Sequence, residues 1–217
     1  EMGVSLDPSF VPVVPLGGRF VAHFWRLLND LEIPHATLLD LDLGRRHGGA
    51  NAMRSCLQNL AAIGSNFGST NGANAAQLTD QQLYNEGLQG QWLQAFRREG
   101  VFFSYPIDLD FAMLLAFPTA YQVANPGGNG PQSSAAAIQA QKVSTLKTGG
   151  NPALYTAHYD DAFKWYPYLF LSRSKPETHL AAFSRIAGGG VTASAPVELR
   201  ALIEYVTDKL NLSGENE

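Results

Sequence analysis

The chain has 217 residues, 45% hydrophobic and 16% charged, a balance that excludes a disordered chain and supplies enough apolar mass for one large domain. No apolar run reaches the roughly 20 residues of a bilayer span. The net charge of −4 argues against a free-standing basic nucleic-acid binder, and a single cysteine, Cys56, rules out an internal disulfide, which suits a reducing cytoplasm.

Taken in chain order, "FVPVVPL" (10–16) predicts a short, proline-bearing strand toward a sheet edge. After Gly17 and Gly18, "GRFVAHFWRLLNDL" sets Phe20, Val21, Phe24, Leu27, Leu28 and Leu31 on one helical face, closed by Pro34. "ATLLDLD" (36–42) is the second strand; its near-continuous apolar run suits a parallel sheet. "NAMRSCLQNLAAI" is a helix with Cys56 among Met53, Leu57 and Leu60 at core spacing, so this thiol reads as buried. Residues 64–76 carry turn chemistry, and "TDQQLYNEGLQGQWLQAFRREG" reads as a helix capped by Thr79 or Asp80 and weakened by Gly87 and Gly90. "VFFSYPIDLD" is the third strand and its exit, and "LDFAMLLAF" a short apolar helix. Residues 125–151 read as a mobile insertion with room for a polar helix. "YTAHYDDAFKWYP" is helical in pattern and "YLFLS" (168–172) a fourth strand. "SKPETHLAAFSRIA" and "APVELRALIEYVTDKL" are helices with prolines near their starts, and residues 211–217 a polar tail. Strand alternating with helix is the order of an α/β domain, an open, mostly parallel sheet flanked by helices with helical and loop insertions, here one domain over residues 1–217.

Ligands of open α/β sheets bind beyond the carboxyl ends of the strands. The second strand ends in Asp40 and Asp42, the third in Ser104 followed by Asp108 and Asp110, the fourth in Ser172, Arg173, Ser174 and Lys175. Carboxylates gathered this closely repel unless a cation compensates them. Mg²⁺ or Mn²⁺ takes oxygen ligands and keeps waters free for a phosphate, and a pair of such ions serves both oxygens of a phosphoryl transfer. A rim lysine adds positive charge where the transition state gains negative charge. The pattern therefore points to metal-assisted phosphoester chemistry. Each residue alone has a plainer reading: Asp40 and Asp42 as turn or cap residues, Asp108 as the N-cap of "LDFAML", Lys175 as a solvated loop lysine. Arg45 and Arg46 face either a phosphate backbone or solvent. His47, His23 and His158 read as structural or solvated, His179, one turn into the helix after Lys175, has the crevice within reach beside a plainer structural reading, and Asp160 and Asp161 read as a solvated helix face. Trp25, Trp92 and Trp165 read as core or interface.

"PLGGRFVAHFWRLLNDLEIPHATLLDLDLGR" resembles the C-terminal nuclease region of the overcoming-lysogenization-defect (OLD) family of ATP-dependent endonucleases, which carries a topoisomerase–primase (Toprim) domain. The likeness is strongest over residues 11–46 and continues more loosely through "PIDLDFAMLLAF" and "YLFLSRSKPETHLAAF". It implies a Toprim-like fold. Asp40 and Asp42 match the family's D-x-D, Asp108 and Asp110 its later acidic element with Ser104 as companion, and Lys175 its late lysine. By this resemblance Asp40, Asp42, Asp108, Asp110 and Ser104 hold two divalent ions, Mg²⁺ or Mn²⁺ with Ca²⁺ inhibiting or substituting. Asp40, Asp42 and Lys175 then drive cleavage of DNA phosphodiesters. Implied partners are DNA, an upstream ATPase domain and a second copy of the chain, in the bacterial cytoplasm and without a membrane. The pattern departs in one place: no apolar strand leads into the family's glutamate, and Glu1 stands ahead of the first plausible strand. That motif is expected upstream, as is the ATPase, since no G-x-x-x-x-G-K-[ST] loop is present. The chain then reads as a C-terminal fragment of a longer protein.

Three other readings stand beside the nuclease. A haloacid-dehalogenase-type phosphatase also uses D-x-D after a strand, though that strand normally lies near the chain start. A phospho-acceptor signalling module shares the strand-end aspartates but is about half this length. The fourth is a structural coupling domain with a decayed site.

Overall fold

The computed structural model describes residues 11–16, 21–65, 67, 75–186 and 190–209. The architecture is α/β, mostly helical around a small open sheet. Helix α1 (Ala22–Asp30) leads to strand β1 (Thr37–Asp40), then come α2 (Ala50–Ala62), α3 (Asp80–Glu86) and α4 (Gln91–Arg98). Strand β2 (Val101–Ser104) pairs with β1 in parallel, Thr37 opposite Val101 and Asp40 opposite Ser104. The parallel reading of these two runs holds, and it puts their carboxyl ends at the same edge.

Every residue of β2 is buried. Side chains alternate across a strand, so its two phenylalanines face opposite ways. Phe103 meets Phe96 of α4 edge-on at 5.2 Å, and Phe102 meets Tyr205 at 5.6 Å. Tyr205 belongs to the last helix, α11 (Val197–Lys209), which Arg97 ties down through the buried carboxylate of Glu198. Past β2 come α5 (Leu109–Ala116), α6 (Pro118–Tyr121), α7 (Ala135–Leu146), α8 (Asp160–Tyr166), α9 (Lys175–Phe183) and α10 (Gly190–Ser194). Within 125–151, α7 is capped by Ser134 and packs on α8 through buried Lys142, Thr145 and Leu146.

Three expectations change. "YLFLS" is not a strand: Pro167–Leu171 forms a π-helical turn running on from α8. Its apolar run is one helical stripe, Phe163, Tyr166, Leu169 and Phe170, all buried, and a short apolar run fits strand and buried helix equally until packing decides. "FVPVVPL" forms no strand over its described residues 11–16, where Val13 and Val14 are exposed. Pro12 and Pro15 remove two ladder donors, and Phe10 lies outside the described residues, as do Glu1 and the tail. The sheet described therefore has two strands where four were expected. The long helix over 79–100 is broken into α3, a 3₁₀ turn and α4, because Gly87 takes φ +60° and Gly90 an extended conformation.

Helix α1 buries Trp25, whose indole N–H donates to Thr37 Oγ1 at 2.9 Å, but Phe24 (44%), Leu27 (54%) and Leu31 (59%) of its apolar stripe are exposed. Cys56 is buried beside Met53 and Leu60, as its spacing predicts.

Candidate active site

Backbone pairing continues past the sheet and fixes the next residues of both strands. Leu41 N donates to Ser104 O, Asp42 N to Ile107 O at 2.6 Å, and Leu43 N to Pro106 O at 2.9 Å. Asp42 sits at φ +52°, an uncommon conformation that aspartate tolerates better than most side chains. The loop then folds back so closely that a Cβ on Gly48 would lie 1.8 Å from Asp42 O. Only glycine fits there.

The loop's first arginine turns inward. Arg45 Nη1 donates to Asp42, Nη2 to Asp108 at 3.1 Å and to the Tyr166 hydroxyl at 3.5 Å, and Nε to Thr145 O at 3.1 Å. Asp108 also caps α5 through Phe111 N (3.0 Å) and accepts from Tyr166 Oη (2.6 Å). Burial, and after it the charge of Asp108, push the Tyr166 phenol well above its ordinary pKa, so the hydroxyl stays protonated and donates.

Two residues on, Asp110 joins a second cationic group. Its carboxylate accepts from Lys175 Nζ (2.5 Å) and His179 Nε2 (2.9 Å). Burial alone raises its pKa, but the His179 and Lys175 hydrogen bonds outweigh it and the net shift is downward. An ionised carboxylate only accepts, so Nε2 carries a proton, while Nδ1 lies 2.6 Å from the Tyr121 hydroxyl. Desolvation lowers the Lys175 pKa, but the ion pair with Asp110, and beyond it Asp108 and Asp40, leave it raised and the amine charged. Asp40, at the solvent rim, accepts from Leu109 N at 3.3 Å. The protein packed around it, then the charge of Asp108, raise its pKa.

The four aspartates and Lys175 therefore converge, although the lysine is the first residue of α9 and does not come from a strand end. Ser104 joins none of these hydrogen bonds: its hydroxyl is buried with no hydrogen-bond partner among the described residues, and it lines a cavity of about 310 Å³ with Leu38, Leu109 and Ala112. Asp160 and Asp161 pair with Lys142 and Lys164. Four contributors have roles that the sequence pattern does not assign. Arg45 reads there only as a phosphate or solvent contact, and Asp80 only as a cap of the helix it begins. Thr145 and Tyr166 sit far along the chain and carry no local signal. Asp80 accepts from Ala50 N at 2.8 Å and holds the start of α2, while Thr79 takes the capping role on α3.

The donors suit Mg²⁺ in kind, being hard carboxylate oxygens. Their arrangement does not suit it. Asp42 and Asp108 are engaged by Arg45, Asp110 by Lys175 and His179, and among the described residues no three His, Cys, Asp or Glu side chains stand together as a metal-binding group.

Residues 1–42 match the family model described as "Overcoming lysogenization defect protein-like, TOPRIM domain". Over that stretch, which ends on Asp42, the chain is similar to the Toprim region of an OLD family protein; Asp108, Asp110 and Lys175 lie beyond it. No curated protein and no solved structure matches the chain.

Proposed function

We propose that this chain is part of a metal-dependent nuclease that hydrolyses DNA phosphodiesters as the catalytic portion of a larger ATPase–nuclease. The observation that carries the reading is the convergence of Asp40, Asp42, Asp108, Asp110 and Lys175 at one edge of a parallel strand pair, the first two of them inside the stretch that matches a Toprim family model. In the hydrolysis, water oxygen bonds to phosphorus as the bridging P–O bond breaks. Lys175, whose side chain is half exposed, meets the negative charge that builds on the phosphoryl oxygens. His179, itself hydrogen-bonded to Tyr121, holds Asp110, and through it the lysine, in place. The metal dependence rests on the Toprim likeness, and the expected ion is Mg²⁺ or Mn²⁺.

The test is nicking of supercoiled plasmid with Mg²⁺, Mn²⁺ or Ca²⁺, by this chain and by one extended upstream, against Lys175→Met and Asp40→Asn. Both positions reach solvent, so these variants are expected to fold. Metal-dependent nicking lost in both supports the reading. Activity only in the extended chain assigns a required group upstream. No nicking by either chain refutes it and favours a non-catalytic coupling domain, a reading supported by the ion pairs that saturate Asp42, Asp108 and Asp110.

A further inference from the structure

We propose that Arg45 is the resident cation of the Asp42–Asp108 pair, and that a divalent metal reaches these carboxylates only by displacing its guanidinium. The inference rests on the metal part of the function proposed above and explains how a set of suitable donors is closed to metal.

The guanidinium is placed as a bridging ion would be. It lies between two carboxylates that come from different strand ends, giving one amino group to each. Its side chain and both aspartates are nearly buried, at 13% exposed for Arg45 and 11% and 9% for Asp42 and Asp108. Buried charge-assisted hydrogen bonds of this kind are strong, and the planar guanidinium fixes their directions. A metal bonded to the same two oxygens would bring a double positive charge into contact with the arginine, so the two occupants exclude each other.

The anchors of Arg45 also explain how it is released. The backbone loop is stitched down by Arg45 N to Asp42 O (2.9 Å), Gly48 N to Arg45 O (3.0 Å) and Asn151 N to Gly44 O (2.7 Å). The side chain, by contrast, is held from outside the loop, by Thr145 O at the end of α7 and by Tyr166 Oη at the end of α8. Release therefore requires a rotation of one side chain and loss of the α7 contact, with the strand ends left in place. The 125–151 segment thereby acts on the site by holding Arg45 over it.

The experiment measures Mn²⁺ binding by the loss of its free-ion electron paramagnetic resonance signal, in the full chain, with no cleavage required. Wild type, Arg45→Met, Arg45→Lys and the double variant Arg45→Met/Asp108→Asn are compared. The expected result is at least tenfold tighter Mn²⁺ binding in Arg45→Met than in wild type, with the gain lost in the double variant. Arg45→Lys keeps the charge, loses the fork, and is expected between the two; it decides the question if Arg45→Met does not fold. Equal affinity in wild type and the arginine variants overturns the displacement idea and leaves the nuclease proposal standing. No saturable binding in any of them overturns both the inference and the metal dependence.

Discussion

Truncating Glu198 tests what fastens the last helix to the sheet. Glu198 is 3% exposed, and its carboxylate takes Arg97 Nε at 2.9 Å and Arg97 Nη2, in the fork geometry that only arginine offers. Glu198→Ala removes the partner and leaves a largely buried guanidinium with only Leu88 O. Removing one member of a buried pair costs about 3–5 kcal/mol. In a chain of this size that lowers the melting temperature by roughly 6–20 °C. Glu198→Gln is different. Burial raises the pKa of Glu198, and the hydrogen bonds and charge of Arg97 do not fully offset it. Its folded pKa exceeds its unfolded one, so its contribution to stability is full below the unfolded pKa and is lost as pH rises through the folded value. The stability of wild type relative to Glu198→Gln should therefore fall as pH rises from about 4, near the ordinary glutamate value, toward neutrality. Urea titrations of the three proteins across that range read both effects. A Glu198→Ala chain as stable as wild type, or a wild-type advantage over Glu198→Gln that grows toward pH 7, would refute the reasoning.

Three further outcomes follow from the packing. Cys56 is buried, and burial pushes its thiol up to about 12, so iodoacetamide at pH 8 should label it only after unfolding in urea; rapid native labelling contradicts its placement. Gly48→Ala should destabilise the chain far more than Gly130→Ala. Its Cβ would meet rigid backbone at 1.8 Å, where the Cβ on Gly130 would find ordinary contacts at 3.6 Å, and thermal melts of the pair measure the difference. Trp25→Phe removes the donor to Thr37 and should cost about 1 kcal/mol beyond the lost ring area, a coupling absent when Thr37 is already Val in a double-mutant cycle.

Much of the outline was legible because it depends on local chemistry. Asp108 followed by an apolar run announces a capped helix, and Asp108 is the N-cap of α5. Pro176 near the start of "SKPETHLAAF" announces another, and α9 carries it in its first turn. The runs before Asp40 and Ser104 carry strand patterns and pair as expected. What failed depended on a partner. "FVPVVPL" has strand composition but no strand beside its described residues, and "YLFLS" followed the helical stripe begun at Phe163. The stripe of α1 had the period of a core helix, yet Phe24, Leu27 and Leu31 stay exposed, because periodicity gives a face and not what covers it.

The same division runs through the candidate site. Sequence by itself determined which carboxylates gather, since the ends of the two paired strands follow from apolar runs and turns; the lysine was expected at a strand end that does not form, and it joins them from the start of α9. Only the tertiary structure decided what neutralises them. Arg45 lies three residues from Asp42 but 63 from Asp108, 100 from Thr145 and 121 from Tyr166. Charges buried at these strand ends must be compensated at contact distance. Which cation does it is set by the packing of α5, α7 and α8 around the loop, and no local pattern in the sequence records that.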